Sequence, residues 1–339
     1  MGWHNSCTHP RIIRVKHAKM NLYLHLLPGM NLKFLPQIRY PIIYNPRRYL
    51  SELDFDLLHL NSHLNFQSQL LASKAKKMGK PIVLTIHGVI GYYNPLINFA
   101  QKAYLRILNQ TLFKWVDRII CLTSADSAEL SSIGVSTSKM HVIPNGVNED
   151  FFIPGPKTES KEVIWHGRFI PQKGLPDLVK SAYIVNKKLP DVSYYLMGWG
   201  PQMNYIKQLV HRAGLSSIFT FAGKQPWDDV PKNLARAQVY ALPSYREGMP
   251  FSLLEAMSCG TPAVAYSIPS TADIIEHGVD GYLVKLGDYH TFSKYILKLL
   301  RDENLRNEMS INARKKIEEH FRWSAIARKY DVIYQSLLQ

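Results

Sequence analysis

Apolar residues in the second half of the chain fall into short β-branched and aromatic runs: EVIWHG (162–167), VSYYLMG (192–198), SIFTFAG (217–223), AQVYALP (237–243), PAVAYS (262–267) and GYLVKL (281–286). Longer helix-like stretches separate most of them, such as PDLVKSAYIVNKKL and PQMNYIKQLVHRAG. This alternation predicts βαβ units and a parallel, doubly wound sheet. Several runs end in Gly or Pro, so their carboxyl ends feed tight loops, the place where open α/β sheets hold ligands. The first half repeats the rhythm more loosely. DLLHLN (56–61), PIVLTIHG (81–88), DRIICLTS (117–124) and MHVIPNG (140–146) read as strands, with helices around 67–79, closed by Gly79, and 95–115. The Pro/Gly-rich polar segment FFIPGPKTESKE (151–162) reads as a linker between two units. Near the end, Ile326, Tyr330, Ile333 and Leu337 recur at helical spacing and predict an amphipathic helix packed on a neighbour. With no internal repeat and no low-complexity tract, the pattern is that of two α/β domains facing across a cleft.

Composition narrows the class. The 339 residues are 46% hydrophobic and 20% charged, which suits two packed domains by a soft prior of about 150 residues each and argues against disorder. A formal net charge of +15 calls for an anionic partner: nucleic acid, membrane phospholipid or a phosphorylated small substrate. The excess is denser up to Asp150, where 17 Lys/Arg against 8 Asp/Glu leave +9, than beyond it, where 24 against 18 leave +6. Cys7, Cys121 and Cys259 are widely spaced. Neither a disulfide framework nor a zinc ribbon is expected, and the chain reads as a reduced, cytoplasmic protein. No run reaches the ~18 apolar residues needed to span a bilayer. The opening MGWHNSCTHPRIIRVKH has no apolar core, so no secretory signal is expected and any membrane contact is peripheral.

Candidate chemistry concentrates in two stretches. REGMPFSLLEAMSCGTP (246–262) sets Glu247 and Glu255 eight positions apart. On one continuous helix they would stand about 12 Å apart, whereas paired carboxylates that hydrolyse glycosides stand about 5–9.5 Å apart. Gly248 and Pro250 also interrupt any such helix. The pattern predicts a helix with Pro250 in its first turn and Gly260 closing it, Glu247 in the preceding loop and Glu255 on the second turn. Free N–H groups near Phe251 and Ser252 then form an anion site backed by the helix dipole. An ordinary helix with an acidic entry has the same pattern. The second stretch, HGRFIPQKG (166–174), carries Arg168 and Lys173 round a turn ending in Gly174. A guanidinium and an ammonium converging from one loop suit a diphosphate, the first bidentately and the second as a point charge. A solvated basic turn has that pattern too.

In this order, GRFIPQKG, LMGWGP and EGMPFSLLEAMSCGTP resemble the family 4 glycosyltransferases of the GT-B fold. The upstream IPNGV (143–147) and TIHG (85–88) fit the same pattern, so the resemblance runs from about Leu57 to the final helix. Its specific part is Glu-x7-Glu in its Gly-x-Pro and Glu-Ala-Met-x-x-Gly-Thr-Pro setting. The GR…KG turn is less specific, and Gly198-Trp199-Gly200-Pro201 is weak alone. The resemblance implies two Rossmann-like, doubly wound domains, acceptor-side over 1–150 and nucleotide-sugar-binding over 151–322, with a crossover helix over 323–339 returning towards the first. It further implies an enzyme that retains anomeric configuration while moving a sugar from a nucleotide diphosphate sugar, UDP- or GDP-linked, to a hydroxyl acceptor. The acceptor it implies is a glycan, a lipid-linked or a small molecule, with cell-envelope polysaccharide or glycolipid synthesis the expected setting.

Carried over by motif, Arg168 and Lys173 hold the diphosphate and stabilise the departing nucleotide. Glu255 takes hydrogen bonds from the donor ribose, and Glu247 contacts hydroxyls of the transferred sugar. The backbone of Gly248, Met249, Pro250, Phe251 and Ser252 lies beside the phosphates. His87 faces the donor sugar from the first domain, Asn145 and Gly146 lie at the cleft floor, and Gly198 and Gly200 leave room for backbone to approach the nucleotide. The catalytic set is then His87, Arg168, Lys173 and Glu247. A diphosphate is already a weak base, so cationic stabilisation can replace a general acid, and attack from the leaving-group face needs no carboxylate nucleophile. No metal or other cofactor is expected.

The remaining features read differently. Asp54-Phe55-Asp56 is a D-x-D, a metal motif of the other major glycosyltransferase fold, but it precedes DLLHL at the amino end of the strand, away from the ligand side. His59 and His63 would align on a helix but stand about 13 Å apart on an extended strand, which argues against zinc. Cys259 suits helix-end packing. Family members begin with a strand and a glycine-rich turn, whereas the early turn here is Pro28-Gly29, so the first βα unit is expected to be shortened, missing or replaced by the stretch 1–20. A non-catalytic or truncated donor-binding homologue is the alternative reading. Lysines at 74–80 and the aromatic-rich 92–115 form a candidate surface for anionic lipid at the inner membrane face, the alternative being core residues beneath solvated lysines. Nucleic acid is not expected, since no zinc finger, helix-turn-helix or RNP-like sheet accompanies the charge.

Overall fold

A computed structural model describes residues 11–17, 20–26, 29–30, 42–43, 46–63, 66–88 and 95–339. At the start, β1 (Arg11–His17) and β2 (Met20–Leu26) pair antiparallel, β3 (Gly29–Met30) pairs with β4 (Ile42–Ile43), and α1 (Pro46–Glu52) follows. The family's initial βα unit is therefore not found among the described residues. Cys7 and Pro28 lie outside them.

The first parallel sheet runs β5 (Leu58–Asn61), β6 (Ile82–Ile86), β7 (Arg118–Cys121), β8 (Met140–Val142), in spatial as in chain order. Its connections are α2 (Phe66–Lys77), α3 (Pro95–Gln110) with α4 (Leu112–Trp115), and α5 (Ser124–Ser132). β6 is buried along its whole length; a strand covered on both faces reads as a continuous apolar run, not an alternating one. On one face Leu84, Ile86 and Ile119 pack with Leu105, Leu112 and Phe113 of α3 and α4. The pattern over 95–115 predicts one helix, but the chain breaks at Thr111, φ −124°. Its hydroxyl donates back to the carbonyls of Ile107 and Leu108, the kind of local bond that competes with helix propagation, and Leu112 and Phe113 then turn into the core.

The second sheet has six strands, all parallel: β9 (Lys161–Arg168), β10 (Val192–Trp199), β11 (Phe219–Gly223), β12 (Val239–Leu242), β13 (Ala263–Tyr266) and β14 (Gly281–Val284). Their spatial order is β11-β10-β9-β12-β13-β14. The chain thus winds outward from β9 and returns to its other side at β12. That reversal makes the carboxyl ends of β9 and β12 the topological switch point, where such sheets bind ligands. Helices α6 (Leu175–Lys188), α7 (Met203–Arg212), α8 (Val230–Arg236), α9 (Phe251–Ser258), α10 (Pro269–Ala272), α11 (Tyr289–Arg301) and α12 (Glu303–His320) cover the faces. Successive residues of β9 serve opposite sides: Val163 and Trp165 pack under α6, α7 and α11, and Ile164 under α8, α9 and α12.

α13 (Trp323–Leu338) leaves the second domain for the first. Val147 N–H donates to Phe321 O at 2.8 Å and Trp323 N–H to Val147 O at 3.0 Å, which fixes the crossover. Ile326 and Ile333 then pack on Val83, Ile120 and Ile143, the face of the first sheet that α2–α4 leave open. His59 is held between the hydroxyls of Tyr334 (2.6 Å) and Thr85 (2.8 Å).

Candidate functional site

At the carboxyl end of β9 the chain makes a 3₁₀ turn, Pro171–Lys173, closed by Gly174 at φ +64°. A Cβ at Gly174 would fall 1.8 Å from Pro243 O, so both backbone conformation and space require glycine here. The turn sends Lys173 back over the sheet, where its Nζ donates to Glu247 Oε1 at 2.6 Å in a largely buried pair. Tyr245 N–H donates to Gln172 O at 2.8 Å, tying the β9 and β12 loops together, and Ser270 Oγ of α10, after β13, donates to Glu247 O at 3.3 Å. Arg168, exposed, places its guanidinium carbon 5.7 Å from the ring centre of Trp199.

α9 begins at Phe251 with Pro250 as its extended N-cap, rather than within the first turn where the pattern put it. Pro250 O takes the N–H groups of Leu253 and Leu254, and those of Phe251 and Ser252 have no intrahelical acceptor, as in the first turn of any helix. Glu255 is buried on the second turn, and its Oε2 lies 2.9 Å from His166 Nε2 of β9. That nitrogen is close enough for an ion pair, yet it makes no hydrogen bond of acceptable angle. Tyr240 of β12 stands edge-on to the His166 ring at 6.1 Å. Its hydroxyl is bonded to the Ser252 side chain, and burial pushes its phenol far up. At Gly198 and Gly200 an added Cβ would strike Gly167 O at 1.8 Å and Phe169 O at 2.5 Å. The neighbouring β9 loop is thus reason enough for both glycines, without a nucleotide.

The first domain meets this surface from the ends of β6 and β8. A Cβ on Gly248 would sit 2.7 Å from His87 O, so the two loops touch backbone to backbone. His87 is exposed at the end of β6, though its ring is partly desolvated. Burial lowers its pKa, with Asp126 pulling the other way, and the imidazole is neutral at pH 7. Asp126 is buried and reciprocally bonded to Thr123 at the start of α5. Asn145 Nδ2 donates to Met249 O at 3.0 Å, and its N–H points to the Met249 sulfur at 3.1 Å. Gly146 lies under Ile326 and Trp323 at the crossover. Ser124 N–H donates to Asp273 Oδ2 at 3.2 Å, a further tie between the domains.

The structure thus brings Lys173, Glu247, Gly248, Met249, Asn145 and the His87 backbone into one region, with Pro250, Phe251, Ser252 and Glu255 following along α9. Asp54 and Asp56 are exposed before β5, at the far end of its strand. Among the described residues no group of three or more His, Cys, Asp or Glu is placed to hold a metal ion. Cys259 is fully buried at the end of α9, its thiol directed at Pro231 O and pushed up to about 12 by burial. Two residues have places here that the sequence did not suggest, His63 having been weighed only as a zinc ligand beside His59. His63, after β5, is buried with both ring nitrogens unpartnered and its pKa held at about 4, by burial first and then by His87 and Arg246. His166 stands inside the quoted HGRFIPQKG, where only the fixed cations draw notice. Its partner Glu255 is 89 positions away (255 minus 166), so no local pattern announces the pair.

The family model described as glycosyl transferases group 1 matches residues 147–316, and that described as glycosyltransferase family 4 matches 12–151. The chain is 29% identical over 299 residues to the UDP-Gal:alpha-D-GlcNAc-diphosphoundecaprenol alpha-1,3-galactosyltransferase of Escherichia coli, covering 81% of this chain and 73% of that protein. It is 24% identical over 303 residues to a GDP-mannose-dependent alpha-(1-6)-phosphatidylinositol monomannoside mannosyltransferase of Mycobacterium tuberculosis, covering 84% and 76% respectively. The crystal structure of Anabaena Alr3699/HepE in complex with UDP and glucose superposes with a TM-score of 0.76 at 20% identity, over 86% of this chain and 81% of that one. The likeness identifies the architecture as GT-B.

Proposed function

The chain belongs to the group 1 glycosyl transferases, and from that premise we propose that it moves a sugar, with retention, from a UDP- or GDP-linked donor to a hydroxyl of a glycolipid or polysaccharide acceptor of the cell envelope. The observation that carries this reading is the meeting of Lys173 Nζ with Glu247 Oε1, at 2.6 Å, beside the amino end of α9. A cation, a carboxylate and helix N–H groups there match a sugar linked to a diphosphate, the hydroxyls to Glu247 and the phosphates to Lys173, Arg168 and the helix terminus. In the transfer the bond from sugar C1 to the phosphate oxygen breaks and that from C1 to the acceptor oxygen forms, while the acceptor proton passes to the departing phosphate. Glu247 and Glu255 each already face a basic side chain, which favours gripping over nucleophilic attack. His87 approaches the sugar as a neutral group. Positive charge from Arg168, Lys173 and the helix supplies leaving-group stabilisation, and the reaction is proposed to need no metal. The test is a panel of UDP- and GDP-sugars, with nucleotide release read with and without lipid-linked and glycan acceptors, before and after EDTA. Acceptor-dependent release that survives EDTA is expected; donor binding without release would overturn the catalytic reading.

The same proposal places the enzyme at the inner, cytoplasmic membrane face as a peripheral protein. In support, α3 exposes Phe99 (75%) and Ile107 (63%) with Arg106, and Lys76, Lys77 and Lys114 are exposed nearby in the first domain. Apolar side chains among cations suit an anionic bilayer surface. No helix among the described residues is long and apolar enough to cross a membrane. Flotation with anionic vesicles is expected at low salt and to weaken at high salt; absence of binding at low salt sinks this part of the reading.

A further inference from the structure

One buried polar atom at this site has no role in the transfer described above. His166 Nε2 lies 2.9 Å from Glu255 Oε2 but makes no hydrogen bond, and a buried polar atom left in that state is costly unless a partner arrives. The ring has little freedom to find another one. His166 is paired opposite Met197 in the β9–β10 ladder, its carbonyl takes the Tyr240 hydroxyl at 3.5 Å, and the two rings meet edge-on.

A ribose hydroxyl that donates to a carboxylate still has oxygen lone pairs to satisfy. Once water is displaced, only a protein donor can serve them. Glu255 is an acceptor only and cannot. We propose that His166 is that donor, so that His166 and Glu255 together clamp one ribose hydroxyl of the nucleotide, the carboxylate accepting from it and Nε2–H donating to the same oxygen. The inference rests on reading Glu255 as the ribose contact. An imidazole with its proton on Nε2 meets the requirement. His166 is then a specificity-determining residue: it makes the enzyme reject nucleotides that lack the clamped hydroxyl, because both it and Glu255 would be left buried and unpaired.

The experiment is isothermal titration calorimetry of the full chain with UDP, GDP and their 2′-deoxy and 3′-deoxy counterparts. The wild type is expected to favour the ribonucleotide over one deoxy form by about tenfold or more. His166→Phe keeps a ring against Tyr240 but has no donor, and the ratio should fall several-fold, to the share that Glu255 alone supplies. His166→Gln carries an amide nitrogen at the reach of Nε2 and should keep most of the ratio; a purely structural role for His166 would show no such rescue. A His166→Phe protein with the wild-type ratio overturns the clamp. If Glu255→Ala abolishes the ratio in that case, the ribose reading of Glu255 stands without His166. If the wild type shows no ratio and Glu255→Ala changes nothing, both fall.

Discussion

Lys173 and Glu247 answer for each other at the scale of single residues. Lys173→Ala should lower kcat by roughly 100-fold or more, the usual cost of losing a preorganised charge at a leaving group. The melting temperature should fall by only a few degrees, since Glu247 can draw in water; steady-state kinetics and a thermal melt check both. Wild-type turnover in that variant would refute the assignment. The two motifs were legible in the sequence, a fixed cation next to a turn glycine and a carboxylate next to a helix start, and the structure brings Lys173 and Glu247 together. The His166–Glu255 pair was not legible, because β9 and α9 meet only through the sheet order. The two glycines of Gly198-Trp199-Gly200 were legible as constraints, but their immediate cause is the backbone of 167–169, a neighbour that only tertiary structure supplies.

At the scale of elements, strands were the easier part to read. β6 and β9–β14 are apolar runs, several of them ended by Gly or Pro, and the parallel sheet follows from their alternation with helices. Boundaries depended on local bonds that periodicity cannot see, such as those of the Thr111 hydroxyl, which splits the helix predicted over 95–115. The family's first βα unit was expected to be shortened, missing or replaced at the start of the chain, but nothing in the pattern announced the antiparallel β1–β2 pair that stands there. The contact between the loop after β6 and the loop before α9 yields a prediction at this scale. Gly248→Ala must push its Cβ against His87 O, now 2.7 Å away, and so open the cleft. A fall in kcat/KM of roughly 10–100-fold is expected from such a displacement, with a thermal melt close to wild type. Unchanged kcat/KM would mean that the two loops do not meet during turnover.

Across the whole molecule, buried histidines make stability depend on pH. Burial, and then His87, hold His59 and His63 at about 4, below the usual 6.5. Above pH 6.5 both are neutral whether the chain is folded or not. As pH falls towards 4 the unfolded chain takes up protons that the folded one refuses, and stability is lost, by roughly 3 kcal/mol per histidine over that range. The melting temperature should therefore drop between pH 7 and pH 5, and His63→Phe, which suits its place beside the Phe113 ring, should blunt the drop. An equal drop in that variant would assign the loss to other groups. His59 brings in the crossover helix, since its ring is bonded to Tyr334 of α13. On a ribosome the strands of the first sheet emerge early, but the residues that cover one of their faces, Ile326 and Ile333, are made after everything else described here. Until they arrive, Val83, Ile120 and Ile143 lack that cover, so the core of the first domain is completed only after the second domain, whose own core needs no residue of α13, has been made.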